Sequence, residues 1–327
     1  MTISYTICSA NYLAYAKSLG DSLVEQNSQH KFIIVLLDRY PELDASFFLP
    51  HTIIFIDEMG INEFTEMSQQ YSIFELSCAL KPFAASYIFE SFSACEQVFY
   101  FDSDIHVFHS LKTAEEQLNH SSVIITPHFC KPINTRVRSY IERTVLRSGI
   151  YNGGFFGLKR CEETAQFLTW WKKRLEVFCY NDTKNGLFVD QLWLNLAPLL
   201  FKNVHVFYNE GYNTAYWNLD ERIFSSTENN LIVNQKYPLV FFHFSGYSFE
   251  NQNSISNFFT DYKLVNNPLL IPLFEKYKTS VVANNHNTYS TLIPFFGKKD
   301  DKKIVTKYNK FFGLKKRDLK KEDYKIK

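Results

Sequence analysis

A chain of 327 residues, 46% hydrophobic and 21% charged, can bury one sizeable core or two smaller ones, and 32 Phe and 20 Tyr against 11 Gly and 10 Pro argue against a disordered or collagen-like chain. No apolar run reaches the ~18 residues of a membrane span, and Met1-Thr2-Ile3-Ser4-Tyr5 reads as the start of a strand, not a signal peptide. The net charge of +1 is uneven: residues 298–327 hold 13 Lys/Arg against 5 Asp/Glu, which leaves −7 for the rest.

The six cysteines, Cys8, Cys78, Cys95, Cys130, Cys161 and Cys179, are irregularly spaced and form no CxxC pair. That argues against a zinc site or disulfide framework, suits a reducing cytoplasm, and leaves most thiols as small buried hydrophobes.

In chain order, residues 3–10 read as a short strand and 11–26 as a helix, with Leu13, Ala16, Leu19 and Leu23 three or four apart. The runs KFIIVLLD (31–38) and TIIFID (52–57) are strands that each end in a carboxylate. Residues 71–93 read as one long helix interrupted by Pro82, and 98–101 and 123–126 as further strands. Near-continuous Ile/Val/Phe runs between helices indicate parallel strands covered on both faces, a doubly wound α/β sheet. Ligands gather beyond the carboxyl ends of such strands, where Asp38, Asp57 and Asp102 stand. GGFFGLK (153–159) is a strand and 161–178 a helix with a stripe of Ala165, Leu168, Trp171, Leu175 and Phe178. A short helix with Trp193 on its apolar face follows at 190–200, then a strong strand at 238–247 and a helix at 264–277. No repeat recurs at a period of 20–50 residues.

The chemistry concentrates in four places. Asp102 and Asp104 flank Ser103 at a strand end, so both carboxylates can turn to one side. Their repulsion needs a cation or donors to offset it, and oxygen ligands at this spacing suit Mg²⁺ or Mn²⁺; the alternative is a solvated turn. His243, before Ser245-Gly246, is either a satisfied core histidine or a third ligand, since imidazole suits Mn²⁺. Gly153-Gly154 after Asn152 make either a tight turn or a bare backbone against which a sugar or phosphate rests. Asp190 and Gln191 open a helix, so Asp190 is either an N-cap or a group for sugar hydroxyls, with Gln191 facing the reacting carbon.

Taken in order, CSANYLAYAKSLGDSL, ELSCALKPFAASYIFE, VFYFDSDIHVF, YNGGFFGLKR, VDQLWLN and FFHFSG resemble the glycosyltransferases of the GT-A fold, most closely glycosyltransferase family 8, over residues 1–250. The resemblance implies a Rossmann-like, doubly wound mixed sheet flanked by helices, and a nucleotide-sugar donor, with a UDP-sugar expected first. It implies Mn²⁺ or Mg²⁺ on Asp102, Asp104 and His243, and Asp190 and Gln191 at the reaction centre. Ser9, Ala10 and Asn11 would lie near the nucleotide, Tyr12 would stack on the base, and Asp38 would meet the base or ribose. Lys81 would approach the diphosphate or sugar, and Ser103, Asn152, Gly153 and Gly246 would complete the donor site. Family 8 enzymes retain anomeric configuration, so retention is expected. Where the family often continues from HxxG to Lys-Pro-Trp, this chain has Tyr-Ser-Phe-Glu after Gly246, so Lys81 or a tail lysine supplies that charge or donor closure differs.

The expected organisation is a catalytic domain over 1–278 and a helical, basic extension over 279–327. The tail mixes its basic residues with Phe311, Phe312 and Leu314, which suits a peripheral contact with an anionic membrane surface on the cytoplasmic side. A glycan or glycolipid acceptor fits such a site, and nucleic acid does not, because the body is acidic and carries no reading module. A metal-dependent nucleotidyl- or phosphotransferase is the rival class, weakened by the lack of a GxxxxGK loop, and a non-catalytic sugar- or nucleotide-binding module is the third.

Overall fold

A computed structural model describes residues 1–133, 139–227, 230–251 and 253–297. The basic segment 298–327, with the tail contact expected of it, lies outside the described residues.

The strands of the first half are β1 (Thr2–Cys8), β2 (Lys31–Leu36), β3 (Thr52–Phe55), β4 (Gln97–Phe101), β5 (Ile105–Val107), β6 (Val123–Pro127) and β7 (Tyr151–Lys159). The central seven-stranded sheet runs Val204–Val206, β6, β7, β4, β1, β2, β3. All neighbours pair in parallel except β7, which is antiparallel to both β4 and β6. The sheet is therefore mixed and doubly wound. β4 shows why its sequence is apolar throughout: Val98 and Tyr100 enter the core on one face, Phe99 and Phe101 the core on the other.

The helices are α1 (Leu13–Gln26), α2 (Phe64–Gln70), α3 (Ile73–Ala79), α4 (Lys81–Ser91), α5 (Lys112–Leu118), α6 (Ser139–Ser148), α7 (Glu162–Phe178), α8 (Ala197–Leu200), α9 (Ile271–Ala283) and α10 (His286–Tyr289). α1 buries Leu13, Ala16, Leu19 and Leu23 on one face of the sheet, while α3, α4 and α7 cover the other. Fully burying one such Leu or Phe contributes about 1.5–3 kcal/mol.

Several elements differ from expectation. The single helix over 71–93 is two, α3 and α4, meeting at Leu80. Pro82 lacks an N–H, so it fits a first turn and not a helix interior, and the break puts Lys81 at the head of α4. The Ser72–Glu75 capping box starts α3 independently. The strand over 52–57 ends at Phe55, and Asp57 is exposed and bidentate to Arg39 at 2.9 and 3.1 Å. It leaves the acidic edge. The helix over 190–200 is a 3₁₀ turn, Leu192–Leu196, followed by α8.

The apolar run 238–247 is the largest difference. Pro238 ends a two-residue strand, Tyr237–Pro238, and Phe241–His243 is a separate strand that pairs antiparallel with β5 outside the main sheet. The run reads as a long strand because residues 239–244 are buried throughout, but β5 offers it only three residues. Beyond it, Gly246 turns the chain at φ +72°.

α9 carries on across residues 278/279, with Phe274, Tyr277 and Val281 in one apolar cluster with Ala14, Phe242 and Phe244. The expected division between 278 and 279 falls inside this helix. Among the described residues no helix is long and apolar enough to cross a membrane. All six cysteines are unpaired, and four are buried.

Candidate active site

The site forms where β4 leaves the sheet. After Phe101 the chain turns, with Ile105 N–H donating to Asp102 O at 3.2 Å, and enters β5. Register then does the rest: His243 opposes Ile105, and Phe244 N–H donates to Asp104 O at 2.8 Å. His243 Nε2 lies 3.0 Å from Asp104 Oδ1 and 3.8 Å from Asp102 Oδ2. Asp102, Asp104 and His243 each offer one ligand atom, all within 4.8 Å of one another.

Lys81 stands behind this triad. Its Nζ lies 3.0 Å from Asp190 Oδ2, 3.3 Å from Asp102 Oδ1 and 2.9 Å from Gly153 O, over the Tyr100 ring at 4.5 Å. Burial favours the neutral amine, but Asp102 and Asp190 outweigh it and hold Lys81 charged, well above the usual lysine range. Burial opposes the charge of Asp102 as well, yet Lys81, His243 and a 2.6 Å hydrogen bond from the Tyr100 hydroxyl hold its carboxyl below the usual value. Burial opposes a charge on His243, but Asp104 and Asp102 outweigh it and raise its pKa. A divalent cation at Nε2 would take the place of that proton beside the two carboxylates, and the Asp-Asp-His donor set is the chemistry Mn²⁺ or Mg²⁺ accepts. The residues present fit the ion.

Asp190 is not a helix cap. It follows Val189, whose φ of +38° is rare for a β-branched residue, and its side chain is turned inward onto Lys81. Burial raises its carboxyl pKa and Lys81 draws it back. Gln191 is held on both sides: Oε1 accepts from Gly153 N–H at 3.0 Å and Asn152 Nδ2 at 3.2 Å, and Nε2 donates to Ser148 O at 2.9 Å.

The two glycines serve close approach, but of protein to protein. A Cβ on Gly153 would stand 2.7 Å from Asp190 Oδ2, and one on Gly154 would stand 2.5 Å from His243 Cε1 and 2.7 Å from Asp102 Oδ2. The expected bare backbone for a sugar or phosphate is thus already covered by Asp190 and His243.

Other expected residues sit as follows. Ser9 Oγ donates to Asn11 Oδ1 at 2.6 Å, and Tyr12 is half-exposed. The Tyr12 hydroxyl pKa is raised, first by burial and then by the charge of Asp104. Asp38 does not open onto the site: it is wholly buried, with Oδ2 accepting from Ala10 N–H and Oδ1 from Phe295 N–H, both at 2.8 Å. Lys81 is likewise spent on Asp102 and Asp190 instead of facing outward. Ser103 is buried between the two aspartates, and Gly246 forms the turn beyond His243.

Sequence reading missed Tyr100, His128, Asn213 and Trp217. His128 Nδ1 lies 3.3 Å from Ile150 O, which can only accept, so Nδ1 carries the proton and Nε2 accepts from Asn152 Nδ2 at 3.2 Å. Burial pushes the His128 imidazole down to about 4 and keeps it neutral. The Trp217 ring packs edge-on to His243 and His128 at 5.1 and 5.4 Å. No local pattern marks these residues except the position of His128 just past β6, at the same sheet edge as Asp102.

No family model matches the chain. It is 29% identical over 187 residues to the uncharacterized protein YfnF of Bacillus subtilis (strain 168), covering 55% of this chain and 59% of that one. It is 27% identical over 199 residues to the uncharacterized protein YfnD of the same organism, covering 60% and 61%. The chain thus spans about three fifths of the length of the curated relatives it matches. Among solved structures it is similar to the galactosyltransferase LgtC, crystallised with donor and acceptor sugar analogues, at a TM-score of 0.51 and 14% identity over 90% of this chain and 98% of that one. The chain has the GT-A glycosyltransferase fold.

Proposed function

We propose that the chain transfers a sugar from a nucleoside-diphosphate donor, a UDP-sugar first, to a hydroxyl of a glycan or glycolipid, with retention. The convergence of Asp102, Asp104 and His243 at the carboxyl edge of the sheet carries this reading. These three residues would hold Mn²⁺ or Mg²⁺, which supplies positive charge against that developing on the departing diphosphate.

The bond between the anomeric carbon and the diphosphate oxygen breaks, its electron pair leaving with the diphosphate. A bond to the acceptor oxygen forms, and the acceptor proton passes to the departing phosphate. Asp190 is locked to Lys81 and is a poor candidate for a covalent nucleophile, which favours attack from the face of departure. Gln191 presents a fixed amide at the reaction centre, and the half-exposed Tyr12 stacks on the base. Ser9, Ala10, Asn11, Ser103 and Gly246 complete the donor surround, with Asn152 and Gly153 supporting it from the floor. Contact of the segment 298–327 with an anionic membrane on the cytoplasmic side belongs to the same proposal, on the charge of that segment alone.

A panel of nucleotide sugars, each incubated with Mn²⁺ and again with EDTA, tests the reading. Hydrolysis of at least one donor that stops in EDTA, with the first-released anomer matching the donor, is expected. Nucleotide binding with no turnover of any donor would point to a binding module, and full turnover in EDTA would remove the cation from the site.

A further inference from the structure

One polar chain runs through the floor of the site, and its amide orientations follow from two backbone donors, Gly153 N–H and Gly154 N–H. Asn152 Oδ1 accepts from Gly154 N–H at 3.0 Å, so its nitrogen faces His128 Nε2 and Gln191 Oε1. Asn213 Nδ2 donates to that same Asn152 Oδ1 at 3.0 Å and to Thr126 Oγ1 at 3.1 Å. The Asn213 oxygen therefore faces His243 Nδ1, at 3.2 Å, and Nδ1 carries a proton, which leaves Nε2 as the nitrogen a cation would take. Nε2 is thereby the ring nitrogen turned to Asp102 and Asp104.

Asn213 is built for this place. It is buried, and its φ of +50° lies in the left-handed region that Asn tolerates. Its own carbonyl accepts from Asn218 Nδ2 at 3.0 Å, and the neighbouring Thr214 O accepts from His243 N–H at 2.8 Å. A strained backbone held from both sides beside a ligand set is where positioning is stored.

We propose that Asn213 is a positioning residue that fixes His243 as an Nε2 ligand and, through Asn152, couples that ligand to Gln191. The proposal rests on the cation-holding reading of Asp102, Asp104 and His243. A single hydrogen-bonded unit then sets the imidazole and the amide at the reaction centre together, so that neither rotates independently.

Mn²⁺ binding to the full chain, read by electron paramagnetic resonance, tests it. Wild type binds and His243→Ala does not. Asn213→Ala, with its circular dichroism unchanged, loses about 10- to 100-fold in Mn²⁺ affinity. Asn213→Asp still accepts from Nδ1–H and restores the affinity, but it cannot donate to Asn152, so donor turnover at saturating Mn²⁺ stays low. Wild-type affinity in Asn213→Ala, with affinity lost in His243→Ala, overturns the role of Asn213 alone. Absence of Mn²⁺ binding in wild type, or undiminished binding by His243→Ala, overturns the cation reading and this proposal with it. Should Asn213→Ala fail to fold, the imidazole nitrogen spectrum of Zn²⁺-loaded wild type decides: Nδ1 protonated and Nε2 metallated is expected, and the reverse overturns the proposal.

Discussion

Lys81 Nζ lies 3.0 Å from Asp190 Oδ2, and both side chains are buried beneath the triad of Asp102, Asp104 and His243. Removing one partner of a buried pair leaves the other charge uncompensated, which costs more than the pair itself contributes. Lys81→Met is therefore expected to destabilise the fold by about 3–5 kcal/mol in urea denaturation. Adding Asp190→Asn to it should recover part of that loss. Additive losses would show that the pair is not coupled.

Gly154→Ala should strike the site and the fold together. The new Cβ meets His243 and Asp102 at 2.5 and 2.7 Å, so both must shift. Stability falls by about 1–3 kcal/mol, and Mn²⁺ affinity by about 10-fold or more. Gly157→Ala is the control: its Cβ meets the Phe99 ring at 2.7 Å, inside the core. It should lower the melting temperature and leave Mn²⁺ affinity as it was; parallel losses in both variants would contradict the placement of Gly154.

Asp104 bears on chemistry more than on folding, because its carboxylate is partly open to solvent. Asp104→Asn should reduce Mn²⁺-dependent donor hydrolysis by about 10²-fold or more, with the melting temperature close to that of wild type. Unchanged turnover in this variant would dismiss the cation site.

His106 gives a pH signature unrelated to activity. Both ring nitrogens are buried with no hydrogen-bond partner among the described residues, beside Phe108 and Tyr277. Burial, with a smaller push from Lys276, brings its pKa down to about 3. The unfolded chain takes up this proton near pH 6.5. Stability is thus full above that pH and is lost as pH falls towards the folded value. His106→Leu should add about 1 kcal/mol at pH 7, and its advantage should widen by pH 5. Denaturation midpoints at the two pH values measure this; a constant difference would mean that His106 is solvated in the native state.

The chain's local chemistry was legible where neighbours in sequence are neighbours in space. Asp102 and Asp104 leave one buried strand two residues apart, and no folding event is needed to bring them together. The layered sheet was legible because strands covered on both faces must be apolar throughout, as in β2 and β4. The surroundings of Asp38 and Lys81 were not legible, for the opposite reason. Sequence marks Asp38 as an acid at a strand end and Lys81 as part of a long helix, but their partners, Phe295 and Asp190, come from distant segments.

The sequence by itself determined the α/β layering, the glycines at 153 and 154, and the paired acids at a strand end, because each is a matter of local periodicity or steric size. Only the tertiary structure decided that β5 pairs with Phe241–His243 in the register that sets His243 beside Asp104, and that Asn213 stands behind the imidazole. A three-residue strand carries too little pattern to name its partner. The pairing is chosen by the whole packed core around it, through contacts that no stretch of chain contains alone.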